Sequence, residues 1–284
     1  MSKHNTQTNG SSTHDRKTKK EKLCAVALPT LFCAALLFVA FSAYTKAQMP
    51  PAPLPGQPEG SAYVRQGNLL VLMYHEVDPT PPVDKASLAL YTTPEKLTQD
   101  IDDLLGLGYT PISLVDYYNG QAQAGHNYFA ITFDDGYQGV YQYAFPLLQE
   151  LQVPASVFFN TGMEADKAFL HYWQLQEMAQ SGFFTIYSHL AYHERATKLP
   201  AGQFECYLQA SLDFLQKYVG DQGPMFLAYP YGDYNRATYD TARAAGIKLQ
   251  FAQKMQFPAA DVLVRVNVPY NVQMQDLLKK APLN

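Results

Sequence analysis

Beyond residue 68 the chain alternates short apolar runs with longer stretches of helical period. The runs "LLVLMY" (69–74), "FAITF" (129–133), "ASVFF" (155–159), "FFTIYS" (183–188), "MFLAYP" (225–230), "KLQFA" (248–252) and "VLVRVNV" (262–268) predict buried strands. Between them, "TTPEKLTQDIDDLLGLGY" (92–109) predicts a helix with a threonine cap and proline in its first turn. Helices are also predicted over 137–152, with an internal Pro146, and over 171–182, 202–220 and 235–246. Seven strands in βα order imply a parallel sheet, and closure into a barrel is the natural architecture for that count, although an open doubly wound sheet gives the same string. In either case ligand chemistry gathers at the C-terminal ends of the strands.

The N-terminal part follows another pattern. Residues 1–22 are polar and basic, and residues 23–44, "LCAVALPTLFCAALLFVAFSAY", carry no charge. A run of that length spans a bilayer, for which roughly 20 apolar residues suffice. It predicts a transmembrane signal anchor over 23–47, with a cleaved signal peptide as the alternative. Lys17, Lys19, Lys20 and Lys22 precede it, which places a cytoplasmic tail at 1–22. The proline-rich stretch 48–60 reads as an extended linker, and 61–284 as one folded domain. The expected location is the cell membrane, single-pass with the domain outside the cytoplasm, or secretion if the leader is cleaved.

Charge narrows the partners. The first 22 residues hold six of the 21 basic and two of the 25 acidic side chains, which leaves the remainder at a net −8. A domain of that sign is a poor match for nucleic acid and a better one for a neutral or cationic partner. Cys206 is the single cysteine beyond residue 60, so no disulfide forms within the domain.

Polar, titratable residues crowd the predicted strand ends: His75 and Glu76, Asp134 and Asp135, Asn160, His189, Tyr231, and Arg265 and Asn267 in the last strand. Adjacent carboxylates repel unless a cation or donors sit between them. Asp134-Asp135-Gly136 alone reads equally as a strand-to-helix turn with a cap. His189 and His193, four apart, suit two ligands of one divalent metal, and exposed loop histidines are the alternative. Together with one aspartate they form a His, His, Asp set that fits Zn²⁺ or a similar borderline metal and leaves the other carboxylate as a general base.

"TFDDG" (132–136), "SHLAYH" (188–193) and "YPYG" (229–232), in this order, resemble the first three motifs of the NodB-like polysaccharide deacetylases, carbohydrate esterase family 4. The resemblance covers residue 69 to the last strand. It implies a distorted (β/α)7-type barrel and metal-dependent removal of N-acetyl groups from N-acetylglucosamine units of a polymer. By position, Asp134 resembles the catalytic base, and Asp135, His189 and His193 resemble the ligands of a divalent metal, with Zn first and Co, Ni or Fe as alternatives. The backbone N–H of Tyr231, after Pro230, resembles an oxyanion donor; from the residues themselves, Asn160 at a strand end and Trp173, an aromatic near the motifs, are the candidates for substrate contact. "LMYHEV" (72–77), "FFNTG" (158–162) and "YWQLQEM" (172–178) resemble the branch that acts on poly-β-1,6-N-acetylglucosamine, in which His75 matches the general acid. No histidine follows His193, which agrees with an acid early in the chain.

Two positions depart from the family pattern, and one spacing departs from the biofilm branch. Leu190 replaces the usual Ser or Thr after the first motif histidine, and Ala228 stands where an arginine is common. The histidine spacing of four matches most of the family but is tighter than expected for the nearest biofilm relatives. Arg265 is the candidate to supply the missing positive charge to Asp134. Peptidoglycan or chitin-oligomer deacetylation, O-acetyl ester hydrolysis and a catalytically silent carbohydrate-binding module are the competing functions.

Overall fold

The computed structural model describes residues 67–83, 87–282 and 284. All seven apolar runs are strands: Asn68–Tyr74 (β1), Asn127–Asp135 (β2), Ala155–Phe159 (β3), Phe184–Ser188 (β4), Phe226–Ala228 (β5), Leu249–Ala252 (β6) and Val262–Asn267 (β7). Every neighbouring pair is parallel, and β1 pairs with both β7 and β2, so the sheet closes into a seven-stranded barrel. Closure eliminates the open-sheet alternative. A further short strand, Thr110–Pro111, shares with β3 the edge of β2 that β1 leaves open.

Alternation along the strands sorts side chains between two cores. Leu69, Val71, Ala130, Phe158, Phe226 and Leu263 belong to one buried cluster, which fills the barrel. Leu70, Leu72, Ile131, Phe133, Val157 and Ile186 belong to the other, where they meet Leu97, Ile101, Leu148 and Met178 of the outer helices. Ala130 therefore sets the parity that turns Thr132 and Asp134 inward, and Leu263 does the same for Arg265.

The first helix, Pro94–Gly106 (α1), is capped by Thr93, whose side chain accepts from the Lys96 N–H. The predicted helix over 137–152 is in two parts. Val140–Ala144 is a π-turn in which the Phe145 N–H reaches the Val140 carbonyl, and Phe145–Glu150 (α2) continues as α-helix. Pro146 lacks an N–H and crowds the preceding turn, and a wider i→i+5 turn accommodates it. The remaining long helices are Tyr172–Gln180 (α3), Gln203–Tyr218 (α4) and Arg236–Ala244 (α5).

Among the described residues no helix is long and apolar enough to cross a membrane. The expected tail, anchor and linker at 1–60 lie outside the described residues.

Gly136 ends β2 with a φ of 82°, and a Cβ placed there would meet Phe159 Cδ2 at 2.3 Å. Gly136→Ala therefore combines about 1–2 kcal/mol for a left-handed alanine with about 1–3 kcal/mol for overpacking. The expected result is a lowered urea midpoint with an unchanged m-value, and a midpoint within error of wild type would contradict it.

Candidate metal centre at the strand ends

Register brings the motif residues to one level. Tyr74 pairs with Phe133, so His75 stands level with Asp134; Asp135 pairs with Phe159, and Phe159 with Ser188. Ser188 pairs with Leu227, which puts His189 level with Ala228. The Asp135 Oδ1 lies 3.6 Å from the His189 Nε2 and 3.5 Å from the His193 Nε2, and the three ligand atoms lie within 4.8 Å of one another.

Strand alternation would send Asp134 and Asp135 to opposite faces. Asp135 escapes that rule with a φ of 66°, in the left-handed region that aspartate tolerates better than most residues. Leu190 and Tyr231 share this property, at 64° and 60°. Three of the four non-glycine residues with positive φ among the described residues thus fall one in each motif segment. Such strain is stored where a side chain or backbone group must be aimed.

The electrostatics divide the two carboxylates. Asp134 is buried and bidentate with Arg265, Nη1 to Oδ1 at 2.5 Å and Nη2 to Oδ2 at 2.6 Å. Burial alone would raise the Asp134 carboxyl; the guanidinium, helped by His189, overturns that and holds it at about 2. Arg265 is buried too, donates to the Thr132 hydroxyl at 3.3 Å and lies 5.0 Å over the Phe158 ring. The sequence-predicted Arg265–Asp134 pairing is therefore present, supplied by the last strand. Asp135 has no such partner: burial pushes it up to about 6, with His75 opposing and Asp134 reinforcing the rise.

Two observations make the set fit a divalent metal. The Asp135 Oδ1 is buried without a hydrogen-bond partner, a costly state for an acceptor unless a cation meets it. The His189 Nδ1 lies 2.8 Å from the Ala228 carbonyl, which fixes the Nδ1–H tautomer and turns the bare Nε2 toward Asp135. Burial lowers His189 to about 3, so the ring is neutral, as a ligand must be. His193 is lowered by burial as well and remains 34% exposed, so the set is open on one side. Asp135, His189 and His193 would hold the ion.

The other expected site residues divide into near and distant. His75 is half-buried; desolvation lowers it, while Asp134 and Asp135 pull the other way. Tyr231 is 48% exposed and packs its ring 4.3 Å from His193, and Pro230 beside it is buried. Asn160 is buried, and its amide donates to the His189 carbonyl, so it holds the loop that carries a ligand. Trp173 stands exposed on α3, and its ring contact is with Tyr141 rather than with the cluster.

Three contributors escaped the sequence reading. Thr132 was legible as the inward position before Asp134. The Ala228 carbonyl was not, because a backbone acceptor leaves no residue signature. Arg195, 4.3 Å over the Tyr231 ring, belongs to no motif.

Glu76 links the end of β1 to the loop after β2: its Oε1 accepts from the N–H of Gly139 at 3.1 Å and of Val77 at 3.2 Å. Burial raises it from 4.5 to about 7, against both N–H groups. A raised carboxyl contributes stability that is present below its unfolded pKa and lost as pH rises through the folded one. Glu76→Gln keeps an acceptor without the charge. Its melting temperature relative to wild type is expected to climb between pH 5 and pH 8, and a pH-independent difference would contradict the assignment.

A parallel barrel with a half-open Asp, His, His set at the C-terminal strand ends, beside a second carboxylate, is an arrangement suited to metal-assisted hydrolysis. Residues 121–250 match the polysaccharide deacetylase family. YxkH of Bacillus subtilis, named for the same family, is 32% identical over 119 residues, 42% of each chain. The poly-β-1,6-N-acetyl-D-glucosamine N-deacetylase of Staphylococcus aureus is 25% identical over 150 residues, 48% of this chain and 51% of that one. The chain therefore spans about half the length of the curated relatives it matches.

Among solved structures, the deacetylase PplD of Streptococcus pyogenes, in complex with acetate, superposes with a TM-score of 0.67 at 22% identity, over 76% of this chain and 99% of that one. IcaB from Ammonifex degensii gives 0.61 at 25% identity, over 72% and 93%. Over residues 121–250 the chain is thus similar to the polysaccharide deacetylases, the NodB-like carbohydrate esterase family 4, and its barrel has the fold of solved deacetylases.

Proposed function

We propose that this domain removes N-acetyl groups from a β-linked N-acetylglucosamine polymer, with poly-β-1,6-N-acetylglucosamine favoured, and that it does so outside the cytoplasm. The observation that carries the reading is the unpartnered, buried Asp135 Oδ1 facing two imidazole nitrogens, beside a carboxylate that an arginine keeps ionised. The Staphylococcus aureus relative supports the choice of polymer by its name, and the motifs at 72–77 and 158–162 support it by resemblance. The uncharged run at 23–44 supports a membrane-tethered or exported domain.

Asp135, His189 and His193 would hold a divalent ion, which would supply Lewis acidity toward an acetamide carbonyl and toward water. Asp134 accepts the proton from the attacking water. Its low pKa keeps it fully in the base form at neutral pH, and makes it a weak base suited to a proton already acidified. The Tyr231 backbone N–H, in its strained turn, is the donor to the developing oxyanion. The proton that the departing amine needs is the one released by the attacking water, and His75, level with Asp134 across the β1–β2 pair, is placed to relay it through its neutral imidazole.

Acetate release from poly-β-1,6-N-acetylglucosamine, peptidoglycan glycan strands, chitin oligomers and an O-acetylated polysaccharide tests the proposal. The first is expected to be the best substrate. Preference for another polymer would replace the favoured substrate, preference for the ester would replace the reaction, and polymer binding without release from any would identify a binding module.

A further inference from the structure

The three candidate ligands are not held alike. The His189 Nδ1 is fixed by the Ala228 carbonyl, and Asp135 is aimed by its left-handed backbone. His193 is 34% exposed, and among the described residues neither of its ring nitrogens has a hydrogen bond; its polar neighbour is the Asp135 Oδ1 at 3.5 Å. A ligating histidine ordinarily has its second nitrogen anchored, because the anchor fixes the ring, and losing such support costs about 10–100-fold in metal affinity. What holds His193 is a stack of rings. The imidazole lies 5.2 Å from the His189 ring and 4.3 Å from the Tyr231 ring. Tyr231 is itself 48% exposed, so burial does not fix it, but the Arg195 guanidinium lies 4.3 Å over its ring, inside the cation–π range of about 6 Å. The supports of this stack are rigid. Tyr231 and Gly232 have φ of 60° and 61°, the Gly232 N–H donates to the Tyr229 carbonyl at 2.8 Å, and a Cβ on Gly232 would meet the Gln253 N at 2.6 Å. The Thr197 hydroxyl donates to Asp233 at 2.6 Å, which ties the segment that carries Arg195 to the turn that carries Tyr231.

We propose that Arg195 is a positioning residue for the metal centre: through the Tyr231 ring it holds the His193 imidazole in its ligating orientation, in place of the hydrogen-bonded anchor that His189 has. The inference rests on the metal site of the proposed function and is independent of the polymer. Two effects of the guanidinium oppose each other, since a cation also repels a dication. Arg195 is exposed and a whole aromatic ring stands between it and His193, so its charge acts through water and salt, where screening sets in over about 8–10 Å. The packing contact is not screened. Stacking therefore outweighs repulsion, and the net effect of Arg195 is to tighten metal binding. Tyr231 then has two duties, its backbone N–H toward the oxyanion and its ring toward a ligand.

Zn²⁺ affinity of the full chain, measured without substrate by competition with a chromophoric chelator, tests this directly. Arg195→Gln, at an exposed position, is expected to weaken Zn²⁺ binding about tenfold, the low end for lost support of a ligand, with an unchanged melting temperature of the metal-free protein. Arg195→Lys keeps a cation over the ring and is expected to recover most of that loss. Tyr231→Phe keeps the ring and is expected to bind like wild type, whereas Tyr231→Leu is expected to lose at least as much as Arg195→Gln. Adding Arg195→Gln to Tyr231→Leu is expected to cost nothing further, because the guanidinium acts through the ring. Three results would overturn the proposal: Arg195→Gln binding as tightly as wild type, Arg195→Gln binding more tightly, as repulsion alone would give, or its full effect persisting in the Tyr231→Leu background. Wild-type protein that binds no Zn²⁺ would overturn the metal centre and the positioning role together, whereas tight wild-type binding that the variants leave unmoved would overturn the positioning role alone.

Discussion

Asp134→Asn is expected to lower acetate release by about 10²–10⁴-fold, the usual contribution of a positioned general base, while metal stoichiometry stays at the wild-type value. The side chain faces into the barrel and meets Arg265 and His189, yet the ligand set is complete without it. The asparagine keeps the shape and one acceptor but cannot take a proton. It also leaves Arg265 facing a neutral partner in a buried site, so some loss of stability accompanies the loss of rate. The readout that isolates the base is therefore the rate of folded, metal-loaded protein. A variant that retains more than a tenth of wild-type activity would assign the proton transfer elsewhere.

The second large effect concerns Arg265. Arg265→Met removes both donors from a carboxylate that is almost fully enclosed, and breaking one side of a buried pair costs about 3–5 kcal/mol. Asp134 owes its low pKa to this partner, so its contribution to stability is present above the ordinary carboxylate pKa and is lost as pH falls through about 2. In the variant, burial acts unopposed by the guanidinium and Asp134 protonates at higher pH. The stability gap between wild type and Arg265→Met, measured by urea unfolding, is thus expected to be widest near neutral pH and to shrink on acidification. Combining Arg265→Met with Asp134→Asn removes the stranded charge and is expected to recover part of the loss. A gap below about 1 kcal/mol at pH 7 would make the pair no more than a surface-strength contact.

These effects trace back to features of unequal legibility. The seven strands were readable because a strand buried on both faces is a nearly unbroken apolar run, and all seven lie where those runs stand. Closure was not, since it depends on β1 pairing with β7 across nearly the whole domain, and the same runs fit an open sheet. The helix over 137–152 was readable as helical, but the π-turn ahead of Pro146 followed from where the ring's steric demand was relieved, which periodicity does not report.

The candidate site divides in the same way. Asp135, His189 and His193 stand at residue spacings that metal chemistry demands, and the fold brings their ligand atoms together. What aims them is backbone: the left-handed turns at Asp135, Leu190 and Tyr231, and the Ala228 carbonyl that fixes the His189 tautomer. Leu190 departs from the family pattern by lacking a hydroxyl, and the Ser188 hydroxyl, two residues before it, accepts from the Leu190 N–H at 3.1 Å. Ala228 departs by lacking a guanidinium, and Arg265 of the last strand brings one to Asp134 from the opposite direction in sequence. The first compensation is local, and the second is invisible in a linear motif because β7 and β2 flank β1 and meet across it only in the closed barrel.

The central claim is that one divalent ion held by Asp135, His189 and His193 makes this barrel a deacetylase. Chelator-treated protein titrated with Zn²⁺, with acetate release from poly-β-1,6-N-acetylglucosamine read at each addition, tests it most directly. The expected result is negligible release without metal and a linear rise that breaks at one ion per chain, with no rise for Asp135→Ala. Full activity after chelation, or a rise in Asp135→Ala equal to that of wild type, would contradict the account.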